Sequence, residues 1–224
     1  MGAEDAQSRV GTRRRARLAD AWLYVCVDRR HERGDLRPFL DAVLGAGADV
    51  VQLRDKAASP GQLRAASEVF RDLCDRHGAL FIANDDPQLA VEAGADGVHV
   101  GQDDVPPHLA RGVVGPDLLI GRSTHGVDEI DRALDEDCDY FAVGPVRATP
   151  TKQDRPAVGL APVRHAAAVA GARPWFVTGG MAAESAHEAL EAGAERLVVV
   201  RAITEAEDPA SATAEIAELL KRSR

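Results

Sequence analysis

From residue 22 onward the chain repeats one pattern: a short continuous apolar run, a polar break, then a helix-patterned stretch. The runs are "WLYVCVD" (22–28), "ADVVQLR" (48–54), "ALFIAN" (79–84), "GVHVG" (97–101), "DLLIGRS" (117–123), "YFAVGP" (140–145), "PWFVTGG" (174–180) and "RLVVV" (196–200). Unbroken apolar runs of this length are what strands buried on both faces require. Their alternation with helices implies right-handed crossovers and a parallel sheet. Eight such units in about 200 residues fit a single α/β domain, a compact (β/α)8 TIM barrel with parallel strands. An open doubly wound sheet is the alternative, but "VDRRHERGDL" follows the first run where a dinucleotide-binding sheet would carry a Gly-rich fingerprint.

Three near-repeats, "GAGADVVQLR", "EAGADGVHVG" and "EAGAERLVVV", each end a helix with Gly, turn, and enter a strand. No linker or low-complexity segment follows residue 20, so residues 21–224 are expected to form one barrel. The first 20 residues, with the basic run "RRRAR", read as a flexible, solvated tail.

Composition excludes several classes. Aromatics are 4% of the residues, and 27 Lys and Arg face 36 Asp and Glu for a net charge of −9, a poor basis for nonspecific nucleic-acid binding. Three widely separated cysteines, Cys26, Cys74 and Cys138, argue against a disulfide framework or a zinc knuckle. No run reaches membrane-spanning length, and the first 20 residues lack the apolar core of a secretory signal. The expectation is a cytoplasmic protein with reduced thiols, small-molecule partners and no nucleic-acid or membrane partner, in which a homo-oligomer is possible.

The chemically useful residues collect where strands end, and a barrel builds its site on that face. The ends read "QLRDK", "NDDP", "GQDDVPP", "GRSTH", "GPVRATPTK", "TGGM" and "VVVRAI". In "NDDP", Pro87 suits the first helical position and Asp86 the N-cap, which leaves Asp85 without a structural task. Asp85 with Asp103 or Asp104 supplies carboxylates from neighbouring strands, and Mg²⁺ takes one or two carboxylates with waters and phosphate oxygens. Two roles fit Asp104 at this point: ligand, or cap of a helix starting near Pro106. Arg54, Lys56 and Lys152 suit a diphosphate, although for Arg54 and Lys56 exposed ion pairs are the ordinary alternative. Gly179 and Gly180, with Val200 and Arg201 after the last strand, stand where barrels commonly grip a phosphate.

Taken together, "VQLRDK", "ANDD", "ADGVHVGQDD", "GRSTH", "AVGPVRATPTK", "VTGG" and "VVVRAI" resemble the thiamine phosphate synthase family in order and spacing, over about residues 21–206. The resemblance implies a (β/α)8 barrel that condenses 4-amino-5-hydroxymethyl-2-methylpyrimidine diphosphate with hydroxyethylthiazole phosphate, using Mg²⁺. It further implies that Gln52, Arg54 and Lys56 contact the pyrimidine diphosphate and that Asn84 and Ser123 contact the pyrimidine. Asp85 and Asp104 become the Mg²⁺ ligands, Lys152 meets the diphosphate, and Arg54, Lys56, Ser123 and Lys152 form the catalytic set. Thr149 and Thr151 fall at the thiazole phosphate, with Gly180 or Gly179 and the Val200–Arg201 backbone. Arg201 departs from the family, which often has Ser there; its guanidinium reaches phosphate or turns into a surface pair. His125 needs no catalytic role in this scheme. The rivals are a thiazole tautomerase-like barrel, in which His125 would transfer a proton, and a noncatalytic phosphate-binding barrel.

Overall fold

In the computed structural model, which describes residues 3–149 and 156–223, every strand is followed by a helical segment. The strands are β1 Leu23–Val27, β2 Val50–Leu53, β3 Leu80–Asn84, β4 Gly97–Val100, β5 Leu119–Thr124, β6 Tyr140–Val143, β7 Trp175–Val177 and β8 Leu197–Val199. The helices are α1 Ala3–Ala19, α2 Leu36–Gly45, α3 Pro60–His77, α4 Pro87–Glu92, α5 Pro107–Val114, α6 Val127–Asp135, α7 Ala161–Val169, α8 Ala183–Glu191, α9 Arg201–Thr204 and α10 Pro209–Arg222. All strands are parallel and pair in chain order, β1 closing on β8, so the sheet has no edge. The eight apolar runs are the eight strands, and the open-sheet alternative is excluded.

Each strand is buried on both faces for two different reasons. Val25, Val51, Phe81, Val98, Ile120, Phe141 and Val177 point outward into the layer beneath the helices. Tyr24, Val50, Leu80, Ile82, Leu119, Tyr140 and Phe176 fill the barrel interior. The near-repeats acquire a common explanation at the N-terminal face. Asp49 accepts the Trp22 and Leu23 N–H groups at 2.8 and 2.9 Å, Asp96 accepts that of Phe81 at 3.0 Å, and Asp139 that of Ile120 at 2.8 Å. Each Asp opens one strand by tying down the start of another. In the third repeat Glu195 takes the place of Asp, and the next residue, Arg196, ties down the approach to β1 by donating to the Ala19 and Ala21 carbonyls and stacking on Trp22.

The first 20 residues correct the expectation of a solvated tail. Ala3–Ala19 is a helix, and two arginines of its basic run are paired with this chain's own acids. Arg14 bonds Asp96 at 2.9 Å and Arg15 bonds Asp139 at 2.7 Å, while Leu18 and Ala21 join the interior core. Helix α1 therefore covers the N-terminal end of the barrel. Burial alone would raise the Asp96 pKa, but the Phe81 N–H, Arg71 and Arg14 hold it below the ordinary carboxylate range.

Deleting residues 1–18 is therefore expected to destabilise the barrel by about 3 kcal/mol, the burial of Leu18 plus the lost carboxylate partners. That corresponds to a melting temperature lower by roughly 6–12 °C for a domain of this size. Because the deletion lies at the end opposite the site, turnover per folded molecule is expected to persist. An unchanged melting temperature by calorimetry would contradict the docked helix.

Candidate active site

The C-terminal ends of the strands surround a cavity of about 610 Å³. Gln52, Arg54, Lys56, Asn84, Asp85, Asp104, Ser123, Thr149, Gly179, Gly180, Val200 and Arg201 all line it, although they come from seven of the strand ends. Thr151 and Lys152 lie outside the described residues.

The two acids of "NDDP" divide their labour as expected from capping. Asp86 is the N-cap of α4, its carboxylate accepting the Gln88 and Leu89 N–H groups at 2.9 and 3.1 Å, with Pro87 at the first helical position. Asp85 sits at φ +62°, a left-handed conformation that only a few residue types tolerate. Its N–H donates to the His99 carbonyl at 2.9 Å, and the Asp86 N–H reaches back to Asn84 at 2.7 Å. The chain reverses tightly there and leaves the Asp85 side chain at the cavity, 3.6 Å from Lys56 Nζ.

Asp104 arrives from the next strand. Its carboxylate accepts the Gly101 N–H at 2.7 Å, and α5 is capped at Pro106 without any side-chain bond, so capping does not occupy Asp104. A Cβ at Gly101 would stand 2.9 Å from Asp104 Oδ2, which explains the glycine. The loop is braced by Arg122, which donates to the Gly101 carbonyl at 2.5 Å and pairs with Glu136 at 3.0 Å. Burial first, then the hydrogen bond and charge of Asp104, push Asp85 above the ordinary carboxylate range. Two carboxylates crowded in this way favour either a shared proton or a cation between them. Among the described residues no group of three or more His, Cys, Asp or Glu converges as a metal cage. A pair of hard oxygen donors suits a cation that completes its shell with water and phosphate oxygens, as Mg²⁺ does.

Across the cavity, Gly179 and Gly180 take φ +99° and +70°. A Cβ at Gly179 would stand 2.5 Å from the Pro145 backbone, so the turn admits no side chain. Next to it Val200 leads into α9. The Arg201 guanidinium resolves its two alternatives: Nε bonds both Glu205 oxygens, at 2.9 and 3.0 Å, in a surface pair one turn along its own helix. His125 Nδ1 and its backbone N–H both engage Glu129, at 2.8 and 2.7 Å.

Sequence reasoning did not single out Tyr24, Cys26, His99, Gln102 or Thr178, which also line the cavity. Tyr24, Cys26 and His99 are inward members of their strands, and the alternation of inward and outward positions is the signal that would have found them.

A pocket with paired carboxylates, neighbouring cations and a glycine turn, on the C-terminal face of an eight-stranded barrel, has the form of a (β/α)8-barrel enzyme acting on small molecules. Comparison with known proteins narrows the class. Residues 23–203 match the family model described as thiamine monophosphate synthase. The thiamine-phosphate synthase of Acidothermus cellulolyticus is 54% identical over 204 residues, 91% of this chain and 96% of the relative. That of Mycobacterium tuberculosis is 50% identical over 212 residues, 90% of this chain and 95% of the relative. Among solved structures, thiamine phosphate pyrophosphorylase from Pyrococcus furiosus superposes with a TM-score of 0.83 at 29% identity, covering 92% of this chain and 98% of that one. The chain belongs to the thiamine monophosphate synthase family and is a transferase of thiamine biosynthesis. Among its described residues no helix is long and apolar enough to cross a membrane.

Proposed function

We propose that the cavity joins 4-amino-5-hydroxymethyl-2-methylpyrimidine diphosphate to hydroxyethylthiazole phosphate, giving thiamine phosphate and diphosphate. The observation that carries this reading is the meeting of Asp85 and Asp104 beside Lys56 on one side of the cavity, opposite the glycine turn. The first side offers a place for a diphosphate with its cation, and the second for a monophosphate.

The C–O bond between the pyrimidine methylene and the diphosphate breaks, and its electron pair leaves with the diphosphate. The ring's 4-amino group feeds electrons to the methylene as it becomes cationic. The lone pair of the thiazole nitrogen then forms the new C–N bond. No protein nucleophile enters, so the residues act by placement and charge. Arg54, Lys56 and Lys152 stabilise negative charge as it builds on the leaving group. Mg²⁺, when bound by Asp85 and Asp104, adds positive charge at the diphosphate oxygens. Gln52, Asn84 and Ser123 orient the pyrimidine. Thr149, Thr151, Gly179, Gly180 and the backbone at Val200 and Arg201 hold the thiazole phosphate. His125, fixed on Glu129, remains a structural neighbour of the site.

The test is incubation with both substrates, with and without Mg²⁺. Thiamine phosphate and diphosphate are expected in equal amounts and only with the metal. Absence of product in the presence of both substrates and Mg²⁺ would overturn the reading.

A further inference from the structure

Beneath the cavity a continuous run of polar side chains crosses the barrel interior. Cys26 Sγ donates to Gln52 Oε1 at 3.1 Å, and Gln52 Nε2 donates to the Tyr24 hydroxyl at 3.0 Å. The Tyr24 and Tyr140 hydroxyls lie 3.2 Å apart. Tyr140 then meets His99 Nδ1 at 3.2 Å, and His99 Nε2 meets Ser123 Oγ at 2.9 Å. Gly121 makes room for this meeting, since a Cβ there would stand 2.2 Å from the Tyr140 ring and 2.5 Å from His99 Nδ1. Tyr140 is fully buried, while Gln52, Tyr24, His99 and Ser123 reach the cavity.

One direction gives every donor within the run an acceptor. With Oε1 turned to the Cys26 thiol, the Gln52 amide N–H donates to the Tyr24 oxygen, and in that direction the Tyr24 proton goes to Tyr140. Tyr140, accepting from Tyr24, turns its proton to His99 Nδ1. The imidazole is then neutral with its proton on Nε2, and that N–H donates to Ser123 Oγ. The serine proton is left to point into the cavity. Burial raises both phenols above their ordinary range and keeps them protonated.

We infer that Gln52, Tyr24, Tyr140 and His99 form a one-way hydrogen-bond chain that makes Ser123 a donor toward an acceptor nitrogen of the substrate's heteroaromatic ring. This rests on the proposed placement of the pyrimidine against Ser123. A ring nitrogen that accepts this hydrogen bond is unprotonated, and an unprotonated aminopyrimidine is the form able to release electrons to a developing methylene cation. The chain thus selects the reactive form of the ring, with Tyr140 and His99 as positioning residues.

The experiment is long-range ¹H–¹⁵N NMR of histidine-labelled protein, with the His99 ring assigned by its loss in His99→Asn. The wild-type ring is expected as the Nε2–H tautomer, with Nδ1 shifted by an accepted hydrogen bond. In Tyr140→Phe that resonance is expected to move to the position of an unbonded nitrogen. In the same variant kcat/KM for the pyrimidine diphosphate should fall roughly three- to ten-fold, the loss of one neutral hydrogen bond, while KM for the thiazole phosphate stays unchanged. An Nδ1–H tautomer or an imidazolium in the wild type would overturn the chain, as would an unmoved Nδ1 resonance in Tyr140→Phe. A moved resonance with unchanged kcat/KM would overturn its role at the substrate. The tautomer can be read in protein that makes no product, so failure of the proposed reaction and failure of the chain are distinguishable.

Discussion

Asp85→Ala and Asp104→Ala are each expected to lower turnover at limiting Mg²⁺ on the order of 10²–10³-fold, with the melting temperature preserved in Asp104→Ala and about 1 kcal/mol lost in Asp85→Ala, because alanine tolerates the left-handed turn less well than aspartate. Neither carboxylate holds a structural element in place. Asp85 occupies a left-handed turn beside Lys56, and Asp104 closes only its own loop onto Gly101. Raising the Mg²⁺ concentration should recover part of the rate if the remaining carboxylate still binds the cation. Asp86→Ala should behave in the opposite way. It removes the acceptor of the Gln88 and Leu89 N–H groups and should cost about 0.5–2 kcal/mol of stability, with the metal dependence intact. Thermal melts and Mg²⁺ titrations of the three variants separate these outcomes. Full activity in Asp85→Ala together with an inactive, normally stable Asp86→Ala would mean that the roles of the two acids are reversed.

The Asp86 cap was legible in the sequence because capping is local. Asp86 stands one residue before a helix-initiating proline, and no neighbour further away is needed to see its task. The strands were legible for a similar reason, since a strand buried on both faces is written as one apolar run. Their ends fell within a few residues of the observed ones. The gathering of polar residues on one face followed from the barrel alone. What could not be read depended on partners distant in sequence. The α1 arginines look like a solvated basic run until the fold brings Asp96 and Asp139, 82 and 124 residues further on, to the same end of the barrel. Tyr24 and Tyr140 read as core aromatics until strand register sets their hydroxyls against each other. The Arg201–Glu205 pair had a local signal, the spacing of four along a helix, but the boundaries of so short a helix are not written in its composition.

Lys152→Ala is expected to lower kcat on the order of 10²–10³-fold, by analogy with the loss of one preorganised donor, while KM for the thiazole phosphate changes little. Thr149, three residues before it, lines the cavity. A lysine that meets the diphosphate encounters more charge in the transition state than in the ground state, and such an interaction raises turnover more than it tightens binding. Lys152→Arg should rescue only part of the rate, because a planar guanidinium does not substitute for a compact ammonium. Combined Thr149→Ala and Thr151→Ala should instead raise KM for the thiazole phosphate. Steady-state kinetics with each substrate varied distinguishes the two effects. If Lys152→Ala changes only the KM for the thiazole phosphate, the two phosphate ends have been assigned the wrong way round.

Whether one cavity holds two different phosphates at opposite ends is read most directly from a crystal structure with Mg²⁺ and both products. The prediction is Mg²⁺ bound by Asp85 and Asp104 and carrying the diphosphate beside Arg54 and Lys56, with the monophosphate of thiamine phosphate against Gly179, Gly180 and the backbone of Val200 and Arg201. Diphosphate at the glycine turn, or Mg²⁺ bound without either carboxylate, would contradict it.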